Sequence, residues 1–182
     1  MSRISENHDL LFRYLNRVSK QTQTNEGDVL NNPEYVIDFI FLEDVSKLFK
    51  TLSEDKAVYC VQHDYTPKEK HKMDGQVQTI YPRKNWSSFI VYNCDHPSNK
   101  KLTLETVNSE SGAFLHQFKW LKDSEIGSLD ERWNWLEGWT SNYNNQDPYA
   151  VHFTRGGPWF EEWKDVEFAL EWFKERDLYL EK

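Results

Sequence analysis

Hydrophobic and polar positions alternate in short blocks along this chain. Tyr35 to Phe41 reads Tyr-Val-Ile-Asp-Phe-Ile-Phe, an apolar strand broken by the single carboxylate Asp38, and Ala57 to Val61 and Phe89 to Tyr92 are two more strand segments. Asp44 is placed to cap a short helix whose apolar face is Val45, Leu48 and Phe49. Helices are predicted over Leu104 to Ser109 and Gly112 to Leu121, and a further strand over Tyr149 to Phe153. Pro158 suits the first turn of a final helix. Glu161 and Glu162 complement its positive end, and Trp159, Trp163, Val166, Leu170 and Phe173 repeat at helical spacing as a core-facing stripe.

The alternation predicts an α/β fold with a mixed sheet flanked by helices and an amphipathic C-terminal helix. Residues 1–33 form an amphipathic helix around Leu10 to Val18 followed by a polar linker, Ser19 to Asn32, and residues 34–182 form the main domain. There is no internal repeat. A long polar, Lys-containing loop runs from His63 to Arg83 between two of the strands.

Composition narrows the function. A net charge of -8 argues against nucleic-acid binding, which needs clustered cations in excess. No apolar run reaches the roughly 18 residues of a membrane span, and the opening residues do not read as a secretory signal, so a cytoplasmic location is expected. Cys60 and Cys94 are expected to be buried reduced thiols. The 15% aromatic content, with eight Trp, serves core packing first and sugar stacking second.

Several positions carry candidate chemistry. Asp38 in an apolar strand needs a cation or several donors to offset burial of its charge. His152 stands at a strand end before Gly156-Gly157-Pro158, where imidazole can ligate a metal and glycine lets backbone approach a ligand, with Arg155 as a nearby cation. Arg83, Lys84, Asn85, Trp86, Ser87 and Ser88 bring two cations, an amide and two hydroxyls together as an oxyanion and sugar-hydroxyl surface. Trp133 and Asn134 join a stacking face to a hydrogen-bonding amide, behind an acidic segment containing Asp123 and Glu125. His63 and Asp64 are adjacent, so on a strand they point to opposite faces.

In their order along the chain, three segments resemble the GT-A glycosyltransferases of bacteria and phages related to the glycogenin family. Asp38 to Val45 resembles the end of the metal-binding Asp-x-Asp region, Tyr81 to Ser88 the segment entering the central strand, and His152 to Trp159 the carboxy-terminal His-x-x-Gly-x-x-Lys-Pro-Trp motif. The resemblance covers about residues 34–175. It implies a truncated GT-A-like domain in which Asp38 and His152 hold a divalent metal, commonly manganese, against the diphosphate of a nucleotide sugar, with a glycan or other molecule as acceptor. No nucleophile can be named; Asp123 and Glu125 are the candidate catalytic carboxylates, either one as a base touching an acceptor hydroxyl. The first Asp of Asp-x-Asp falls on Val36, the motif's Lys on glycine, and the 37 residues before Asp38 are short of a full donor half. Three readings follow: a transferase, a non-catalytic carbohydrate- or partner-binding domain, and a chain completed by another polypeptide or by its own copies.

Overall fold

The architecture comes from a computed structural model, which describes residues 38–68, 70–73, 75–141 and 146–180, with side chains described through Leu178. The predicted N-terminal helix and linker, Val36, and the beginning of the first strand segment lie outside the described residues. Residues Ile37–Lys182 form one compact unit.

Two small mixed sheets organise the chain. In the first, β1 (Phe39–Phe41) pairs antiparallel with β6 (Ala150–His152), which pairs in parallel with β5 (Trp135–Leu136). In the second, β2 (Val58–Cys60) lies between antiparallel β3 (Ile90–Tyr92) and parallel β4 (Ile126–Ser128). Four helices accompany them in the described residues: α1 (Ser46–Phe49), α2 (Leu104–Ser109), α3 (Gly112–His116) and α4 (Ala169–Leu180). The fold is therefore mixed α/β. No helix among the described residues is long and apolar enough to cross a membrane.

Strand alternation explains how the layers stack. On β1, Ile40 joins Val151, Phe153 and Trp172 of α4 in one apolar cluster, whereas Phe39 packs into another with Tyr59, Phe89 and Trp133. The first sheet thus has α4 on one face and the second sheet on the other. On β2 the same rule sends Tyr59 toward the first sheet and Val58 and Cys60 to the far side, where Phe118, Trp120 and Leu121 cover them. The seam between the sheets is aromatic. Phe39 stacks on Phe89 at 5.6 Å between centroids, Phe89 lies 6.4 Å from Trp133, and Trp133 is 5.0 Å from Tyr149.

Local chemistry sets several boundaries. Thr103 and Ser111 cap α2 and α3 by accepting the amides of Thr106 and Phe114. Asp44 accepts the Ser46 amide at 2.8 Å and so starts α1. Three expectations are corrected. Helix α3 ends at His116 rather than Leu121, because Phe118 takes a left-handed φ of 52° and is wholly buried, so tertiary packing overrides helix continuation. The last helix begins at Ala169 rather than at Pro158. The intervening residues form turns and one 3-10 turn over Glu161–Trp163, and Phe168 has a φ of 62° that breaks any continuous helix. Ala169 and Trp172 carry the core contact of α4, while Leu170 is 81% exposed and Trp163 is also exposed. Cys94 is exposed in the turn after β3, and only Cys60 is buried, its thiol pushed up to about 12 by desolvation.

Gly127 is the tightest point between β2 and β4. It lies directly beside Tyr59 in the parallel register, and a Cβ there would stand 2.3 Å from the Tyr59 ring. Gly127→Ala should destabilise the fold by about 1–3 kcal/mol through overpacking. Urea unfolding with an unchanged slope and a lower midpoint is the expected result; an unchanged midpoint would show that Tyr59 has room to move.

Candidate functional site

The β1–β6 ladder places two candidate residues at one end of the first sheet. The Phe153 amide donates to the Asp38 carbonyl at 2.8 Å, and the next rung pairs Phe39 with His152, whose rings lie 5.8 Å apart. Asp38 and His152 are thus one rung apart on neighbouring strands. Regular alternation would send their side chains to opposite faces, but Asp38 precedes β1, where the alternation is no longer enforced. The positive charge of Lys72 acts on both side chains. Asp38 is exposed as a residue, yet its carboxyl lies among enough protein atoms that desolvation raises its pKa. A backbone hydrogen bond and Lys72 oppose that rise.

Two imidazoles meet at this end. His152 is 7% exposed, its Nδ1 is buried without a hydrogen-bond partner, and desolvation, reinforced by Lys72, pushes its pKa down to about 3. His63 follows β2. Its Nε2 is also buried and unpartnered, and burial, with His152 beside it, pushes its pKa down to about 3. Both rings are therefore neutral near pH 7, the form that binds metals. Asp64, its neighbour, is exposed.

The segment from Arg83 to Ser88 is held against this end of the sheet. Asn85 has a φ of 64°; its Oδ1 accepts from Thr154, just beyond β6, at 3.2 Å, and its carbonyl accepts from Ser88 Oγ at 2.6 Å and from Asn134 Nδ2 at 3.2 Å. Asn134 also donates to Ser88 Oγ at 2.8 Å. Ser87 Oγ lies 2.8 Å from His116 Nδ1. Trp86 donates from Nε1 to the His63 carbonyl at 2.9 Å and packs partly into the core. The two cations diverge. Arg83 reaches the Gln117 carbonyl and the Asp123 carboxylate, whereas Lys84 turns inward and is 7% exposed.

Other expected site residues have structural duties. Trp133 is buried in the aromatic seam and Asn134 is fully buried, which corrects their assignment to a sugar-stacking surface. Arg155 holds the buried Glu137 by two bonds of 3.1 and 3.2 Å, so its charge offsets a carboxylate rather than facing a ligand. Gly156, with a φ of 122°, admits Met73 rather than a ligand. A Cβ there would lie 2.6 Å from Met73, whose amide donates to the Arg155 carbonyl. A Cβ on Gly157 would strike the Trp159 ring at 2.4 Å. Asp123 is engaged by Arg83, and Glu125 accepts from the Lys122 amide and from Ser98 Oγ, so neither acid is directed at the Asp38–His152 end.

Metal fit follows from this donor set. Among the described residues no group of three or more His, Cys, Asp or Glu side chains could hold a metal ion. Asp38 and His152 supply one carboxylate and one neutral imidazole with an unpartnered nitrogen. The charge that acts on both is that of Lys72, and neither acts electrostatically on the other. A surface hollow bordered by Leu42, Glu43, Arg132, Tyr149 and Phe168 opens at the other end of β1.

Comparison with known proteins places one relative beside this chain. Protein CDI of Arabidopsis thaliana is 55% identical over 145 residues, which cover 78% of this chain and 56% of Protein CDI. The chain thus spans little more than half the length of that relative. No family model matches it. No solved structure matches it either.

The buried imidazoles make stability depend on pH. Their folded pKa values of about 3 lie below the ordinary 6.5, so between those values the unfolded chain binds more protons and acid favours unfolding. The full contribution is present above about pH 6.5 and is lost as pH falls toward 3. Each imidazole should remove up to about 1.4 kcal/mol per pH unit below about pH 6. Urea midpoints measured from pH 7.5 to 5 should fall, and His63→Gln should flatten the slope. Equal slopes for both proteins would contradict the assignment of a buried, neutral His63.

Proposed function

We propose that this protein is a metal-assisted glycosyltransferase that moves a sugar from a nucleotide-sugar donor to an acceptor, on a GT-A-like scaffold. One observation carries the reading: the β1–β6 register sets Asp38 and His152 one rung apart, beside a neutral imidazole with an unpartnered nitrogen and the charge of Lys72. Asp38 and His152 would hold manganese or a similar ion, which supplies neutralisation of a departing diphosphate when bound. Asn85 and Ser88, fixed by Thr154 and Asn134, would orient sugar hydroxyls. No side chain is assigned as nucleophile or base.

A second reading is supported by Val36. With an apolar residue where the resemblance puts the first Asp, the chain would keep the scaffold as a carbohydrate- or partner-binding domain without transferring sugar. The two readings separate cleanly in solution. Release of nucleoside diphosphate from a panel of nucleotide sugars should require manganese and fall by roughly two orders of magnitude, about 2.7 kcal/mol of barrier, in Asp38→Ala and His152→Ala. Glycan binding that persists in chelator, with no release from any donor, would contradict the transferase and favour the binding domain.

A further inference from the structure

Lys84 is buried, and among the described residues its ammonium has neutral partners alone. Its Nζ donates to Thr79 O at 2.7 Å and to Gln78 Oε1 at 3.2 Å, and it lies 4.9 Å from the Tyr81 ring centroid. All three partners are neutral, and among the described residues no carboxylate is within ion-pair distance. Desolvation lowers the Lys84 pKa, and the like charge of Lys72 lowers it further, so two cations share this region. Burying a charge in such surroundings is costly unless a counter-charge arrives.

Gln78 indicates the sign of the missing ligand. Because Lys84 donates, the amide oxygen of Gln78 must face it, which fixes the amide and leaves Nε2 as the remaining donor. That Nε2 is buried without a partner, and Gln78 is 9% exposed. An ammonium, an orphaned amide donor and a second cation call for an acceptor-rich anion. Thr79, whose carbonyl touches Nζ, is exposed, so the group lies only one residue deep. The hairpin that bears Lys72 and Gln78 closes through Lys72 N to Gln76 O at 2.7 Å and Gln78 N to Lys70 O at 2.9 Å, and Met73 docks it against Gly156.

We propose that Lys84, Gln78 and Lys72 form a binding site for a phosphoryl oxyanion, carried by the 70–84 segment. This deepens the transferase reading and rests on it for the identity of the bearer: the phosphates of the donor meet charge here, in place of Arg155, which is occupied by Glu137. The site itself needs no metal.

Calorimetric titration with inorganic pyrophosphate, in chelator, tests it on the full chain. The wild type should bind, Lys84→Met and Lys72→Met should each weaken binding about tenfold or more, and Asp38→Ala should bind at least as well as wild type. Should Lys84→Met fail to fold, Gln78→Met keeps the charge, removes the orphaned donor, and should also weaken binding. A nucleoside diphosphate that binds equally or more tightly supports the site, whereas a phosphate-free nucleoside binding as well as pyrophosphate overturns it. No binding by the wild type at millimolar pyrophosphate, or wild-type affinity in the folded Lys84 and Lys72 variants, also overturns it. Because chelator is present throughout, failure of the metal reading leaves these outcomes unchanged.

Discussion

The pairing of β1 with β6 is the constraint on which the rest of the molecule depends. Three rungs, Phe39 with His152, Ile40 with Val151 and Phe41 with Ala150, join segments more than a hundred residues apart in the chain. Once they are joined, alternation sends Ile40 and Val151 toward α4 and sends Phe39 toward Phe89 and Trp133, so one register determines which apolar groups meet in both layers. A slip of one residue would exchange the two faces. It would also part Asp38 from the strand end that carries His152.

The polar groups at that end are held by the same framework but are not fully satisfied by it. Asn85 ties Thr154 to Asn134 and Ser88 through its two oxygens, and Arg155 neutralises Glu137, while Asn85 Nδ2 and Asn134 Oδ1 stay buried without partners. His63 Nε2, His152 Nδ1 and Gln78 Nε2, from different parts of the chain, are likewise buried without partners, as is Trp135 Nε1. Buried polar atoms without partners are uncommon because each carries a desolvation penalty. Their gathering around Lys72 and Lys84, rather than a large hollow, marks this region as the one where a ligand would gain most. The region offers unpartnered donors and neutral imidazoles, the chemistry on which the proposed metal and phosphate sites rest.

Much of the fold was legible in the chain's apolar pattern. The β1, β2, β3 and β6 strands fall inside segments recognisable from runs of branched and aromatic residues, and α2 follows a threonine cap. The β4 and β5 strands were not legible. They span three and two residues, and Gly127 and Ser128 in β4 carry no strand signature, because parallel pairing to β2 decides their conformation. The stripe from Trp159 to Phe173 suggested one helix, but the left-handed Phe168 is a tertiary outcome that no local preference announces. Asp38, His152 and Lys84 stood out by residue type and position. Trp133 and Arg155 stood out for the same reasons and proved to be core and counter-ion, since burial and partners are properties of the folded chain. Lys72 and Gln78, within a polar loop, gave no signal until the hairpin closed.

Manganese magnetic resonance on protein carrying nitrogen-15-labelled histidine tests the central claim, that the β1–β6 ladder joins Asp38 and His152 into one cation-binding end. A hyperfine coupling to one imidazole nitrogen is expected, and it should disappear in His152→Asn and in Asp38→Ala. A spectrum that stays that of the free aquo ion, or a nitrogen coupling that survives both substitutions, would contradict it.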